Sequence, residues 1–217
     1  AAQALGILGK AEPQVIEALT SALKDEDVRV RSSAAEALGK LGKAEHQVIE
    51  ALTSALKDEH AEVRSSVAWA LGILGKAEPQ VIEALTSALR DEDARVRISA
   101  ALALGKLGKA EHQVIEALTS ALKDEDVRVR ISTALALRIL GKAEPEVIEA
   151  LTSALRDKDA GVRSSVAWAL GILGKAEPQV IEALTSALKD ENVLVRNSAF
   201  EALWELAEKE VEAARDG

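Results

Sequence analysis

The 217-residue chain has no cysteine, no methionine and no tyrosine, and its only rings outside histidine are three Trp and one Phe. Each absence excludes something. Without Cys there are no disulfides, no thiolate metal sites and no cysteine nucleophiles. A chain that is 48% apolar but 2% aromatic must build its core from Ala, Leu, Val and Ile. That favours close-packed helices over a β-sandwich or barrel, which draws on more aromatic and β-branched residues. No apolar run approaches the roughly 18–20 residues of a membrane span, and no signal-peptide pattern opens the chain. The first residue is Ala1 rather than Met, so the expectation is a chain processed, trimmed or excised from something longer. Its location is expected to be cytoplasmic. Basic residues are outnumbered, with 27 Lys and Arg against 36 Asp and Glu and a net charge of −9. That balance opposes non-specific attraction to nucleic-acid phosphates or anionic lipid.

What is present is a repeat. The tripeptide Leu-Gly-Lys starts at Leu8, Leu41, Leu74, Leu107, Leu140 and Leu173, always 33 residues apart. Counting each unit from its acidic triplet gives five full copies, 25–57, 58–90, 91–123, 124–156 and 157–189. A partial unit, 1–24, precedes them and a variant unit, 190–217, follows. Periods near this length signal solenoids, in which each unit buries its apolar face by stacking on its neighbours. In 25–57, Asp25-Glu26-Asp27 supplies an N-cap and negative charge at a helix start. Val30, Ala34, Ala37, Leu38 and Leu41 then share one helical face, and Gly42 ends the helix. A second helix is predicted over about 46–57, with Val48, Ile49, Leu52 and Leu56 inward. Four units place Pro at its first turn, at Pro13, Pro79, Pro145 and Pro178, where a missing N–H costs nothing. Short connections make neighbours antiparallel, and with the partial unit the prediction is about 13 helices. Gly39, Gly72, Gly105 and Gly171 lie inside first helices, which implies close backbone approach there; Arg138 and Trp204 take the same slot.

The pattern Asp-Glu-Asp-x-x-Val-Arg-x-Ser-x-Ala-x-Ala-Leu-Gly-x-Leu-Gly resembles HEAT-like repeats of the phycobilisome-lyase type, and still more the artificial αRep consensus. The resemblance covers essentially the whole chain. Two features depart from that consensus: the unit is slightly longer, and the second helix reads Val-Ile-Glu-Ala-Leu-Thr-Ser-Ala-Leu. A natural protein with recently duplicated units and a design derived from one both fit. The resemblance implies an all-α fold, an α-solenoid of stacked antiparallel helix pairs in 33-residue HEAT-like repeats, with 1–217 as a single domain.

The copies differ in an ordered way. The second helix is nearly constant, while the first varies mainly at slots 4, 5, 8, 12 and 16 of the unit. At about 100° per residue, slots 5, 8, 12 and 16 form one stripe, turned away from the core slots. Slot 12 carries Trp69, Leu102, Leu135 and Trp168, slot 16 carries Ile73, Ile139 and Ile172, and slot 8 adds Ile98 and Ile131. These nine residues are expected to form one apolar patch, flanked by Arg95 and Arg128 at slot 5, with Arg29 in an outer unit. Large exposed apolar patches mark interaction sites, and Trp and Arg are enriched at hot spots. In αRep-like proteins the corresponding slots form the partner-binding face. The alternative is that the stripe packs inside the solenoid.

Other signals weigh little. Arg recurs at slot 7 (Arg31, Arg64, Arg97, Arg130, Arg163, Arg196) with Asp at slot 1, and six copies imply a structural ladder rather than catalysis. His46, His60 and His112 fall at separate helix starts and do not converge as metal ligands. No nucleophile motif, phosphate loop or dinucleotide fingerprint occurs, and chromophore-lyase activity has no candidate residue. The expected function is a non-catalytic scaffold that binds a protein partner, with no cofactor, metal, nucleic acid, membrane or small-molecule substrate. Alternatives are a self-associating homodimer, or a sensor or scaffold fragment of a larger protein. More remote are a nucleic-acid-binding solenoid and a lyase-like subunit. The C-terminal segment, where the Leu-Gly-Lys break is missing, is expected to cap the array. The N-terminus is expected to be an incomplete edge.

Overall fold

Two kinds of helix alternate along the chain because two kinds of start and stop signal alternate in the sequence. The computed structural model describes residues 13–174 and 176–216. The twelve helices among them are α1 (Pro13–Ala22), α2 (Val28–Leu41), α3 (His46–Ala55), α4 (Ala61–Leu74), α5 (Pro79–Ala88), α6 (Ala94–Leu107), α7 (His112–Ala121), α8 (Val127–Leu140), α9 (Pro145–Ala154), α10 (Ala160–Leu173), α11 (Pro178–Ala187) and α12 (Val193–Asp216). The further helix expected before α1 lies outside the described residues. So do Leu8 and the incomplete N-terminal edge.

The longer, first helices start on a capping carboxylate. Asp27, Asp93 and Asp126 each accept from the backbone N–H two residues on, and Asp159 accepts from Val162. His60 replaces this Asp and makes no side-chain cap. They stop at Gly42, Gly75, Gly108, Gly141 and Gly174, all with φ between 68° and 73°, a left-handed conformation that glycine adopts without steric cost. The shorter helices start at Pro or His and end at Ala55 and its equivalents. This is two residues earlier than the sequence predicts for α3, because the chain tightens: Lys57 N–H donates to Ser54 and Asp58 N–H to Ala55. Val48, Ile49 and Leu52 are fully buried, and Leu56 is half-buried.

The chain divides into two units, residues 1–109 and 110–217. In the first, α2, α4 and α6 stack side by side; α3 packs on α4 and α5 on α6. In the second, α8, α10 and α12 stack, with α9 against α10 and α11 against α12. Each second helix therefore packs chiefly on the first helix of the following repeat, across the tight turn. The pairing within one repeat is the weaker one. The connections differ accordingly: the turn after α3 is tied by successive hydrogen bonds, whereas residues 43–45 follow the left-handed Gly42 without a turn. A second correction concerns burial. Besides the expected inward face, the slot-11 alanines Ala35, Ala68, Ala101, Ala134 and Ala167 are fully buried. First helices are thus covered on two sides.

Candidate interaction surface

A ladder of charge sets the first helices in register. In the first unit Arg31 donates through Nε and Nη2 to Asp58 (2.7 and 3.1 Å), and Arg64 to Asp91 (2.7 and 2.8 Å). In the second, Arg130 donates to Asp157 and Arg163 to Asp190 in the same way. Nη1 of each Arg turns back to two carbonyls of its own capping loop, as Arg31 does to Asp25 and Glu26. These forks are bidentate and largely shielded, the geometry in which a guanidinium binds carboxylate best. Burial pushes the Asp58 carboxyl up, but the Arg31 bond and the His60 backbone N–H more than reverse this and leave it below the ordinary range. The Arg163 bond is the main cause of the same lowering at Asp190. The ladder accounts for all of the slot-7 arginines whose partners are described within a unit, and supports the structural reading of them.

Small residues set the spacing. A Cβ placed on Gly72 would lie 2.8 Å from Ala103 Cα, one on Gly39 2.9 Å from Ala70 Cα, and one on Gly171 2.6 Å from Ala202 Cα. Slot-15 glycine is therefore the contact point for slot-13 alanine of the next first helix. Its helix-propensity cost of roughly 0.8–1 kcal/mol is offset by this approach.

The variable stripe lies outside both of these faces. In the first unit, Trp69 and Ile73 on α4 are exposed, Trp69 to 36%, while Ile98 and Leu102 on α6 are half-buried. The Trp69 ring lies over the space left by Gly39, 3.2 Å from where a Cβ would stand. Lys40 Nζ stands 6.0 Å from its centroid. A shallow groove of about 330 Å³ beside it is lined by Glu36, Lys40, Ser65, Ser66 and Ser99. In the second unit, Ile139 on α8 and Trp168 and Ile172 on α10 are exposed, Trp168 to 48%; Ile131 and Leu135 are half-buried. Gly161, at the slot occupied elsewhere by Arg, makes room for Ile131, whose Cδ1 would be 3.2 Å from an added Cβ.

Trp69 and Trp168 each carry a cation from the preceding repeat. The Arg138 guanidinium stacks on Trp168 with 3.9 Å from Cζ to the ring centroid, well inside cation–π range. Arg138 enters the sequence reading only as an exception to slot-15 glycine. The signal that could have found it is spacing: Lys40 and Arg138 precede their tryptophans by 29 and 30 residues. The expected rim arginines behave differently. Arg95 and Arg128 are exposed, yet each closes on its own capping carboxylate, Nη2 to Oδ2 of Asp93 and Asp126 at 2.9 Å. The guanidinium hydrogen bond is the main cause that brings both carboxyls down to about 2.

The family model for HEAT repeats matches residues 1–72, 49–138 and 115–204. The chain belongs to the HEAT-repeat family. Among curated proteins none matches it. Solved structures do. An engineered protein is 21% identical with a TM-score of 0.60, covering 89% of this chain and 96% of that one. The complex of CpcE and CpcF of phycocyanin lyase from Nostoc sp. PCC7120 is 26% identical with a TM-score of 0.64, covering 89% and 78%. A designed armadillo repeat protein in complex with the peptide (KR)4 is 20% identical with a TM-score of 0.62, covering 88% and 99%. This HEAT-repeat chain is therefore an all-α solenoid. Among its described residues no helix is long and apolar enough to cross a membrane, and no group of three or more His, Asp or Glu is arranged to hold a metal. His46 and His112 begin α3 and α7, and His60 sits 3.1 Å from Arg31 Nη2 in the ladder.

Proposed function

We propose that this HEAT-repeat protein is a non-catalytic scaffold that binds another protein through the variable stripe of its first helices. The observation that carries the reading is the state of Trp69 and Trp168. Both occupy a variable slot, both are exposed, and both carry a cation beside the ring with apolar side chains nearby. Trp69 and Ile73, with Ile98 and Leu102 on the adjacent helix, form the anchor in the first unit. Trp168 and Ile172, with Ile131, Leu135 and Ile139, form it in the second. Arg95 and Arg128 contribute at the rim as charge-neutralised Asp–Arg pairs, and Arg138 as a cation held over its ring. An exposed tryptophan with a cation beside it is the kind of group that dominates binding energy at interfaces. The designed armadillo repeat protein of similar fold is in complex with the peptide (KR)4, which supports a peptide or protein as the ligand class.

The test selects ligands from a random peptide or small-domain library on the intact chain. They are then measured against Trp69→Ala with Trp168→Ala, and against a control changed on the constant second helices, Glu50→Gln with Glu149→Gln. The expected result is a loss of at least about tenfold in affinity for the stripe variant and none for the control. Ligands that bind both variants equally would overturn the proposal.

A further inference from the structure

The outward side of α12 differs from that of every other first helix. In three repeats this side is flat, with Gly39, Gly72 or Gly171 touching the alanine of the next helix at backbone distance. At the matching slots 11 and 15, α12 carries Phe200 and Trp204, exposed to 55% and 56% and stacked with ring centroids 6.5 Å apart. A further helix of the same kind would find no glycine there and would meet the two rings instead. The face is not polar either. Val193, Phe200, Trp204 and Val211 are all exposed, and at about 100° per residue they lie within a 40° arc, directly opposite the buried Val195, Ala199, Ala202 and Leu206.

The spacing of this stripe reads the same from both ends: seven residues, then four, then seven, centred on residue 202. We propose that the α12 stripe pairs with its own copy, two α12 helices lying antiparallel about a two-fold axis at residue 202. This register sets Val193 against Val211 of the second copy and Phe200 against Trp204 of the second copy, so all four layers are apolar. Such a contact is isologous and closed. A two-fold axis perpendicular to the helices keeps each flank on its own side. On one, Asn197 lies within about one residue of the level of Glu208 of the second copy, amide against carboxylate, but this flank also carries Glu201, Glu205 and Glu212 of both copies. Only the other is complementary in charge: there Arg196 lies within about two residues of Glu210 of the second copy.

Arg196 has the capacity for that bond. Like the other ladder arginines it spends Nη1 on its own loop, donating to Asp190 and Glu191. Its Nε–Nη2 edge, which elsewhere grips the next repeat's Asp, makes no hydrogen bond among the described residues. The long helix is also held firmly enough to present the stripe. Lys209 Nζ donates to the carbonyls of Gly171 and Ile172 at 3.2 and 2.9 Å, so α12 is clamped beyond the point where other first helices stop.

The experiment follows the mass of the 217-residue chain by sedimentation or light scattering across a micromolar concentration series. The expected result is a shift from 22.9 kDa to twice that value. Phe200→Ala with Trp204→Ala abolishes the shift without changing helical content. Trp69→Ala with Trp168→Ala leaves it intact, which separates this pairing from the proposed partner surface. Because the chain has no native Cys, register is tested directly. Val193→Cys with Val211→Cys gives a covalent dimer on mild oxidation, whereas either single variant stays monomeric on a denaturing gel. A strict monomer at high micromolar concentration overturns the proposal. So does efficient cross-linking of Val193→Cys to itself, which would report a parallel pair.

Discussion

Single residues in this protein are legible against their own repeats, since each slot is sampled several times in one chain. Slot 10 holds Ala or Val except at Thr133, which is fully buried and whose hydroxyl has no partner. An unsatisfied buried hydroxyl costs about 1–3 kcal/mol, and its replacement by an apolar group of the same shape removes that cost. Thr133→Val, already the residue at positions 67 and 166, is expected to raise the melting temperature by about 2–4 °C for each kcal/mol regained. No change, or a fall, would show that the hydroxyl is satisfied in solution. Gly72→Ala goes the other way. Helix propensity alone predicts a gain, but the new Cβ would stand 2.8 Å from Ala103 Cα. A loss of about 1–3 kcal/mol in a urea titration is expected from such overpacking. Gly42 and Asp27 were readable from sequence because capping is local chemistry. Arg138 was not, because its partner Trp168 comes from another repeat and a lone departure from glycine carries no direction.

Among the elements, the ladder makes stability depend on acid. The ladder carboxyls and the capping Asp93 and Asp126 sit below their ordinary value of 3.8 in the folded protein. On lowering the pH, the unfolded chain therefore takes up protons first. Their stabilisation is complete above about pH 4 and is lost as the pH falls through the folded values, which for Asp93 and Asp126 means towards about 2. The urea midpoint followed by circular dichroism should be steady from pH 7 to 5 and fall steeply below 4. Replacing one rung by Arg64→Met with Asp91→Leu should make that fall shallower; an unchanged profile would mean the rungs are not the cause. Helix existence, type and the glycine stop of the first helices were legible here. The preference of each second helix for the following repeat was not, since periodicity shows which face is apolar but not which of two nearby helices covers it. The buried slot-11 alanines escaped for a related reason: alanine is as common on a surface as in a close contact.

For the molecule as a whole, folding and recognition fall to different faces of the same helices. Trp69→Ala with Trp168→Ala, the change that tests partner binding, should accordingly leave helical content and melting almost unaltered; loss of folding would place the stripe in the core. The candidate surface was legible because variation among near-identical repeats isolates it, whereas exposure of the α12 rings became visible only once the helices were stacked. One stacking contact has a mechanical meaning. Of the four first-helix pairs within the units, α8 and α10 share the least intimate contact. There Arg138 stands where glycine closes the others, and its Nε is buried without a partner. Among the first-helix joints within the two units this is the loosest, and it is expected to yield first. On the proposed function, a ligand seated on Trp168 would strain this joint first, so binding and compliance would meet at one place.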